Sequence, residues 1–183
     1  MSLNIIVCAK QVMDPETPLS AFNVDEAAKR VVPAQGIPPV VNGFCENAVE
    51  AALKIKEAAG DATITVISLG NDFVMDVMKK PLSMGADQMI LIQDPAAENL
   101  DALGTATVLS KAIEKIGEAD IVICGQQASD WDNAHVPLGI SEMLGIGCLS
   151  EARSIDLGDG TVTVASSRSD GYEVFEAPLP CLI

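Results

Sequence analysis

Aromatic residues are scarce: one Trp, one Tyr and four Phe make up 3% of the 183 residues. A core built around packed rings has little to draw on, so the interior must be filled by Val, Ile, Leu, Ala and Met, the usual filling of helix-covered parallel strands. Cations are also few, with 11 Lys and Arg against 26 Asp and Glu and a formal net charge of −15. No basic field exists to attract nucleic acid or an anionic membrane surface. A small phosphate stays open, because main-chain N–H groups at a helix start supply positive potential without any Lys or Arg. No apolar run reaches the roughly 20 residues needed to cross a bilayer, and no signal peptide opens the chain, so membrane insertion is not expected and the compartment reads as cytoplasmic.

The machinery of common enzymes is missing too. The chain has a single His, His135, and its five cysteines, Cys8, Cys45, Cys124, Cys148 and Cys181, include no C-x-x-C pair. They read as reduced core residues, and no metal site is expected. There is no P-loop and no G-x-S-x-G elbow. Gly145-Ile146-Gly147-Cys148-Leu149-Ser150 matches part of a dinucleotide fingerprint, but it follows a helical stretch and carries Ser150 where the third glycine belongs. No catalytic residue is expected.

What is present is apolar periodicity. Hydrophobic residues make up 49% of the chain, enough for one principal core and one domain spanning 1–183. Asn4 to Val12, Thr63 to Leu69, Gln88 to Ile92 and Asp120 to Cys124 are short, β-branched and apolar, and read as buried strands. Glu46 to Ala59, Asn71 to Met84 and Asp101 to Ile116 carry helical spacing, with Pro81 expected to kink or shorten the second. Alternating strands and helices with right-handed crossovers predict an α/β fold with a doubly wound, mainly parallel sheet. Pro15 to Val41, broken by Gly36-Ile37-Pro38-Pro39, reads as an inserted hairpin or long loop. After Leu149 the apolar period becomes 2 about the turn Gly158-Asp159-Gly160, which predicts a C-terminal antiparallel meander.

The most informative stretch is Gly125 to Pro137, a polar loop between the strand ending at Cys124 and the helix-like Leu138 to Leu144. Ligands of open α/β sheets sit at the carboxyl ends of strands. There the loop can offer N–H groups to a phosphate, while Gln127, Ser129, Asp130 and Asn133 can bond a ribose or base. The same residues also suit an ordinary capped connection, and both readings stand. Trp131 reads as a loop anchor or a stacking platform, and His135 as a helix-start residue. Asn42, ahead of an amphipathic helix, reads as a helix cap or a ligand contact. The strand end at Ser68-Leu69-Gly70 could equally be a plain turn.

Taken in register, Val7-Cys8-Ala9-Lys10-Gln11-Val12, Asn42-Gly43-Phe44-Cys45-Glu46, Met84-Gly85-Ala86-Asp87 and Gly125-Gln126-Gln127-Ala128-Ser129-Asp130 resemble the beta subunit of electron transfer flavoproteins, as does the late stretch Asp170-Gly171, Glu173 and Leu179-Pro180. The resemblance implies an adenine-nucleotide alpha-hydrolase-like sheet and a non-catalytic electron-carrier subunit. Such a subunit pairs with an FAD-carrying alpha subunit and passes electrons from dehydrogenases to an acceptor. It implies AMP in this subunit, or a second FAD in the same place in electron-bifurcating members. Carried over by position, Cys8, Ala9, Asn42, Leu69, Gly70, Gly125, Gln127, Ser129 and Asp130 enclose the adenosine, and Asn133, Ala134, His135 and Val136 meet the phosphate. Relatives commonly carry Gln or Thr with Gly where this chain has Ala134-His135-Val136-Pro137, so main-chain donation is expected there. Family members also continue past the position of Ile183 into an arm that embraces the alpha subunit, which makes a truncated or reduced relative the expectation. A stand-alone nucleotide-binding domain of the universal-stress type is the reading from another class.

Overall fold

The computed structural model describes residues 2–183. In chain order the elements are β1 (Leu3–Cys8), β2 (Gln11–Val12), β3 (Asn23–Asp25), β4 (Arg30–Val32), β5 (Val40–Val41), α1 (Gly43–Ala59), β6 (Ala62–Gly70), α2 (Met75–Met78), α3 (Lys80–Met84) and β7 (Gln88–Gln93). There follow α4 (Ala102–Ile116), β8 (Ile121–Cys124), α5 (Val136–Leu144), β9 (Gly147–Cys148), β10 (Ala152–Leu157), β11 (Thr161–Arg168), β12 (Gly171–Pro178) and β13 (Cys181–Leu182).

The main sheet is parallel, in the order β7-β6-β1-β8-β13-β9. Alternate residues of its strands feed two cores. Ile5, Val7, Ile64, Val66, Ile121 and Ile123 pack with Val49, Ala52 and Ile55 of α1 on one face. Ile6, Cys8, Ile67 and Val122 pack with Ala106, Leu109 and Ile113 of α4 and Ile140 of α5 on the other. Burial on both faces explains why these strands are apolar without alternation. The second sheet, β10-β11-β12, is the antiparallel meander, and its Val162 and Val164 close the α1-side core. The doubly wound sheet and the meander are as the sequence indicates.

Several boundaries differ. The run Asn4 to Val12 is not one strand: β1 stops at Cys8, and Gln11–Val12 pairs with Val40–Val41 as a separate antiparallel ladder. The helix expected over Asn71 to Met84 is two short helices preceded by a non-helical Asn71–Val74. The N–H of Val74 goes to Oε1 of Gln11 at 2.8 Å, and Pro81, lacking an N–H, starts the second helix instead of ending the first. The sheet also gains β9 and β13, two-residue strands that the periodicity missed. The inserted segment does hold a hairpin, β3–β4, moored by a 2.6 Å pair between Arg30 and Glu98.

This topology positions a site. From β1 the chain moves by α1 to β6 and by α2–α3 to β7, then returns through α4 to place β8 on the other side of β1. The carboxyl ends of β1 and β8 therefore feed connections that diverge, leaving a crevice of the kind where open α/β sheets hold ligands.

Candidate functional site

Cys8 lies directly opposite Cys124 in the β1–β8 ladder and opposite Ile67 in the β1–β6 ladder. Ala9 continues that edge by donating its N–H to Ile67 O at 2.8 Å. Cys8, Ala9, Leu69, Gly70 and Gly125 thus share one rim of the sheet. Gly125 is required there, since a Cβ on it would come within 2.8 Å of the Phe44 carbonyl carbon and 2.9 Å of the Cys45 nitrogen. Loop and α1 touch backbone to backbone. Gly70 instead fits beneath the Phe73 ring, 3.0 Å from the Cβ it lacks, so its close approach is to protein.

Asn42 is the N-cap of α1 by position, but its side chain makes no capping bond. The helix is started by its carbonyl, which accepts from Cys45 N at 2.8 Å and Glu46 N at 3.1 Å. The amide is turned to the loop: Nδ2 donates to Gln127 O at 2.8 Å and to Cys45 Sγ at 3.2 Å, and Oδ1 accepts from Ser129 N at 3.2 Å.

Beyond Ser129 the loop is left with donors. Among the described residues no hydrogen bond takes up the N–H of Asn133, Ala134, His135 or Val136. Ala134 has φ +53 and His135, the N-cap of α5, has φ −91 and ψ −31. A left-handed residue followed by a right-handed one turns successive N–H groups toward a common point, a concavity suited to an anion. The helix dipole of α5 adds to it. The Ser129 hydroxyl is buried without a partner. A phosphate fits this donor set. The two carboxylates nearby have donors of their own, Asp130 from Lys10 Nζ at 2.7 and 2.8 Å and Asp132 from Gln127 Nε2 at 2.8 Å.

A cavity of about 410 Å³ opens beside the loop, lined by Phe44, Asn47, Gly125, Gln127, Ala134 and Leu138 among others. Cys8, Ala9, Asn42, Leu69, Gly70, Ser129 and Asp130 are not in its wall. The expected site residues therefore fall on two sides of the loop, the strand-end crevice and this cavity, with Gly125, Gln127 and Ala134 bordering the latter. Trp131 is 73% exposed and does not anchor the loop. Two participants escaped the sequence reading. Lys10, the only charge in an apolar run, spans from the end of β1 to Asp130, and the backbone of Phe44 supports Gly125.

The Electron transfer flavoprotein domain model matches residues 29–183. The electron transfer flavoprotein subunit beta of Megasphaera elsdenii is 39% identical, covering 99% of this chain and 67% of that protein. The chain belongs to the electron transfer flavoprotein beta-subunit family. The caffeyl-CoA reductase-Etf complex subunit CarD of Acetobacterium woodii is 33% identical over 99% of this chain and 67% of its own length. Protein FixA of Bradyrhizobium diazoefficiens is 34% identical over 97% and 62%. The chain thus spans about two thirds of the length of these electron transfer flavoprotein relatives.

Two thiols at the site have raised pKa values. The neighbouring Cys8 thiol and burial hold the Cys124 thiol well above its ordinary pKa. Burial raises Cys45 against the opposing bond from Asn42. Both stay protonated at neutral pH and make poor nucleophiles. No helix among the described residues is long and apolar enough to cross a membrane.

Proposed function

We propose that this electron transfer flavoprotein beta subunit is a non-catalytic cytoplasmic carrier that holds AMP at the crevice between β1 and β8. It pairs with an alpha subunit carrying FAD and passes electrons from dehydrogenases to an acceptor. The observation that carries the reading is the run of uncommitted N–H groups from Asn133 to Val136 beside the partnerless Ser129 hydroxyl. Such donors bind a phosphate without any cationic side chain, which a chain of net charge −15 needs. FAD, when bound, supplies the one- and two-electron chemistry. The part of this chain is to bind a nucleotide, to present a fixed loop and to keep its own thiols protonated.

A second reading places an FAD where the first places AMP, as in an electron-bifurcating subunit. The same main-chain donors from Asn133 to Val136 support it, because they suit a pyrophosphate as well as a single phosphate. Purification with the alpha subunit, followed by denaturation, mass spectrometry and flavin counting, separates the two. One AMP and one FAD per pair supports the first reading, and two FAD the second. Pairs that release no adenine nucleotide beyond one FAD overturn both.

A further inference from the structure

One buried side chain joins every part of the crevice. The main-chain N–H of Asn42 is bonded to Lys10 O past the end of β1 at 2.9 Å, and its carbonyl starts α1. Its carboxamide holds Gln127 O and Ser129 N on the loop, 85 and 87 residues away. The residue is 1% exposed, so these bonds have no water to replace them. The loop they hold is costly to form: Asp132 at φ +51 and Ala134 at φ +53 are non-glycine residues in the left-handed region. Such conformations persist only where surrounding contacts over-determine them. In sequence Asn42 reads as a helix cap or a ligand contact, yet α1 is started by main chain alone, which leaves the carboxamide to the loop.

We propose that Asn42 is a positioning residue: its side chain fixes the loop from Gly125 to His135 so that the amides ahead of α5 converge before any ligand arrives. The inference rests on the reading that this crevice holds AMP, but the loop's order can be measured without AMP.

The test uses the full chain as wild type, Asn42→Ala, Asn42→Asp and a distant core control, Val162→Ala. Amide exchange across residues 125–136 is followed without nucleotide, and AMP binding by calorimetry. Asn42→Ala is expected to speed exchange at Ser129 and its loop neighbours about tenfold or more and to weaken AMP about 10- to 100-fold. Helical content should stay that of the wild type. Asn42→Asp keeps an acceptor for Ser129 and loses the donor to Gln127 O, so it should fall between. It also carries the test should the alanine variant fail to fold. Val162→Ala is expected to lower the melting temperature with loop exchange and AMP affinity unchanged. Unchanged loop exchange in a folded Asn42 variant overturns the proposal, as does an equal loss of affinity in Val162→Ala. If the wild-type chain ignores AMP while Asn42 variants still loosen the loop, the nucleotide reading fails and the positioning role stands.

Discussion

A methyl group at position 125 would meet main-chain atoms of Phe44 and Cys45 at 2.8 to 2.9 Å, and backbone at the start of a packed helix cannot swing aside as a side-chain tip can. Gly125→Ala is expected to displace the loop or α1 and to cost about 1–3 kcal/mol, seen as a lower urea midpoint, with faster release of bound nucleotide. The thiols give a second residue-scale expectation. Burial, with a smaller contribution from Cys148, pushes Cys181 from its ordinary 9.0 up to about 11. A group whose folded pKa is raised contributes stability that is complete below its unfolded value and is lost as pH rises through the folded one. Between about pH 9 and 11 the urea midpoint should therefore fall. The fall should be shallower in Cys181→Ala, and an identical slope in the two proteins would contradict the assigned cause.

Among the elements, the contact between α4 and α5 decides where the loop ends. A Cβ on Gly139 would lie 2.8 Å from the Ala106 Cβ, so the helices cross with a hydrogen atom in place of a methyl. Gly139→Ala is expected to force them apart at about 1–3 kcal/mol and to shift the first turn of α5. Ala106→Gly in the same chain should return part of that loss despite its own cost of about 0.5–1 kcal/mol in a helix, and a double-mutant cycle measures the coupling. Longer elements are legible: the runs Asn4 to Val12, which overshoots the end of β1 at Cys8, and Thr63 to Leu69, which lies within β6, announce themselves by apolar content, and the face of α4 by its period. β13 is not, because two residues carry no period and Cys181–Leu182 becomes a strand only by filling the gap between β8 and β9. The two-part α2–α3 was misread for a related reason. Its apolar spacing suits one helix, and what prevents one is a tertiary bond donated by the Val74 N–H to Gln11 Oε1 together with Pro81. The candidate site divides the same way. The loop Gly125 to Pro137 could be found from its place after a strand, whereas the role of Asn42 depends on partners far along the chain and has no local signature.

At the scale of the whole molecule, charge and topology act against each other at the crevice. A net charge of −15 surrounds the proposed phosphate site with a repulsive field, while the divergence of connections at β1 and β8 concentrates main-chain donors there. Lys10, past the end of β1, is engaged by both oxygens of Asp130. That pair is partly exposed, with 41% and 24% of the side chains accessible, so it contributes at most about 1 kcal/mol. Salt then discriminates between two ways of holding the anion. If amides hold it, raising ionic strength from about 0.01 to 0.15 M shortens the Debye length from roughly 30 to 8 Å and screens the repulsion while leaving short N–H contacts intact. AMP should bind about two- to threefold tighter, adenosine should be unaffected, and Lys10→Met should leave the trend in place. If Lys10 instead leaves Asp130 for the phosphate, AMP should weaken with added salt and Lys10→Met should abolish the dependence. Calorimetric titration of AMP and adenosine at the two ionic strengths decides between them, and weakening by salt would remove the main-chain amides from their assigned role.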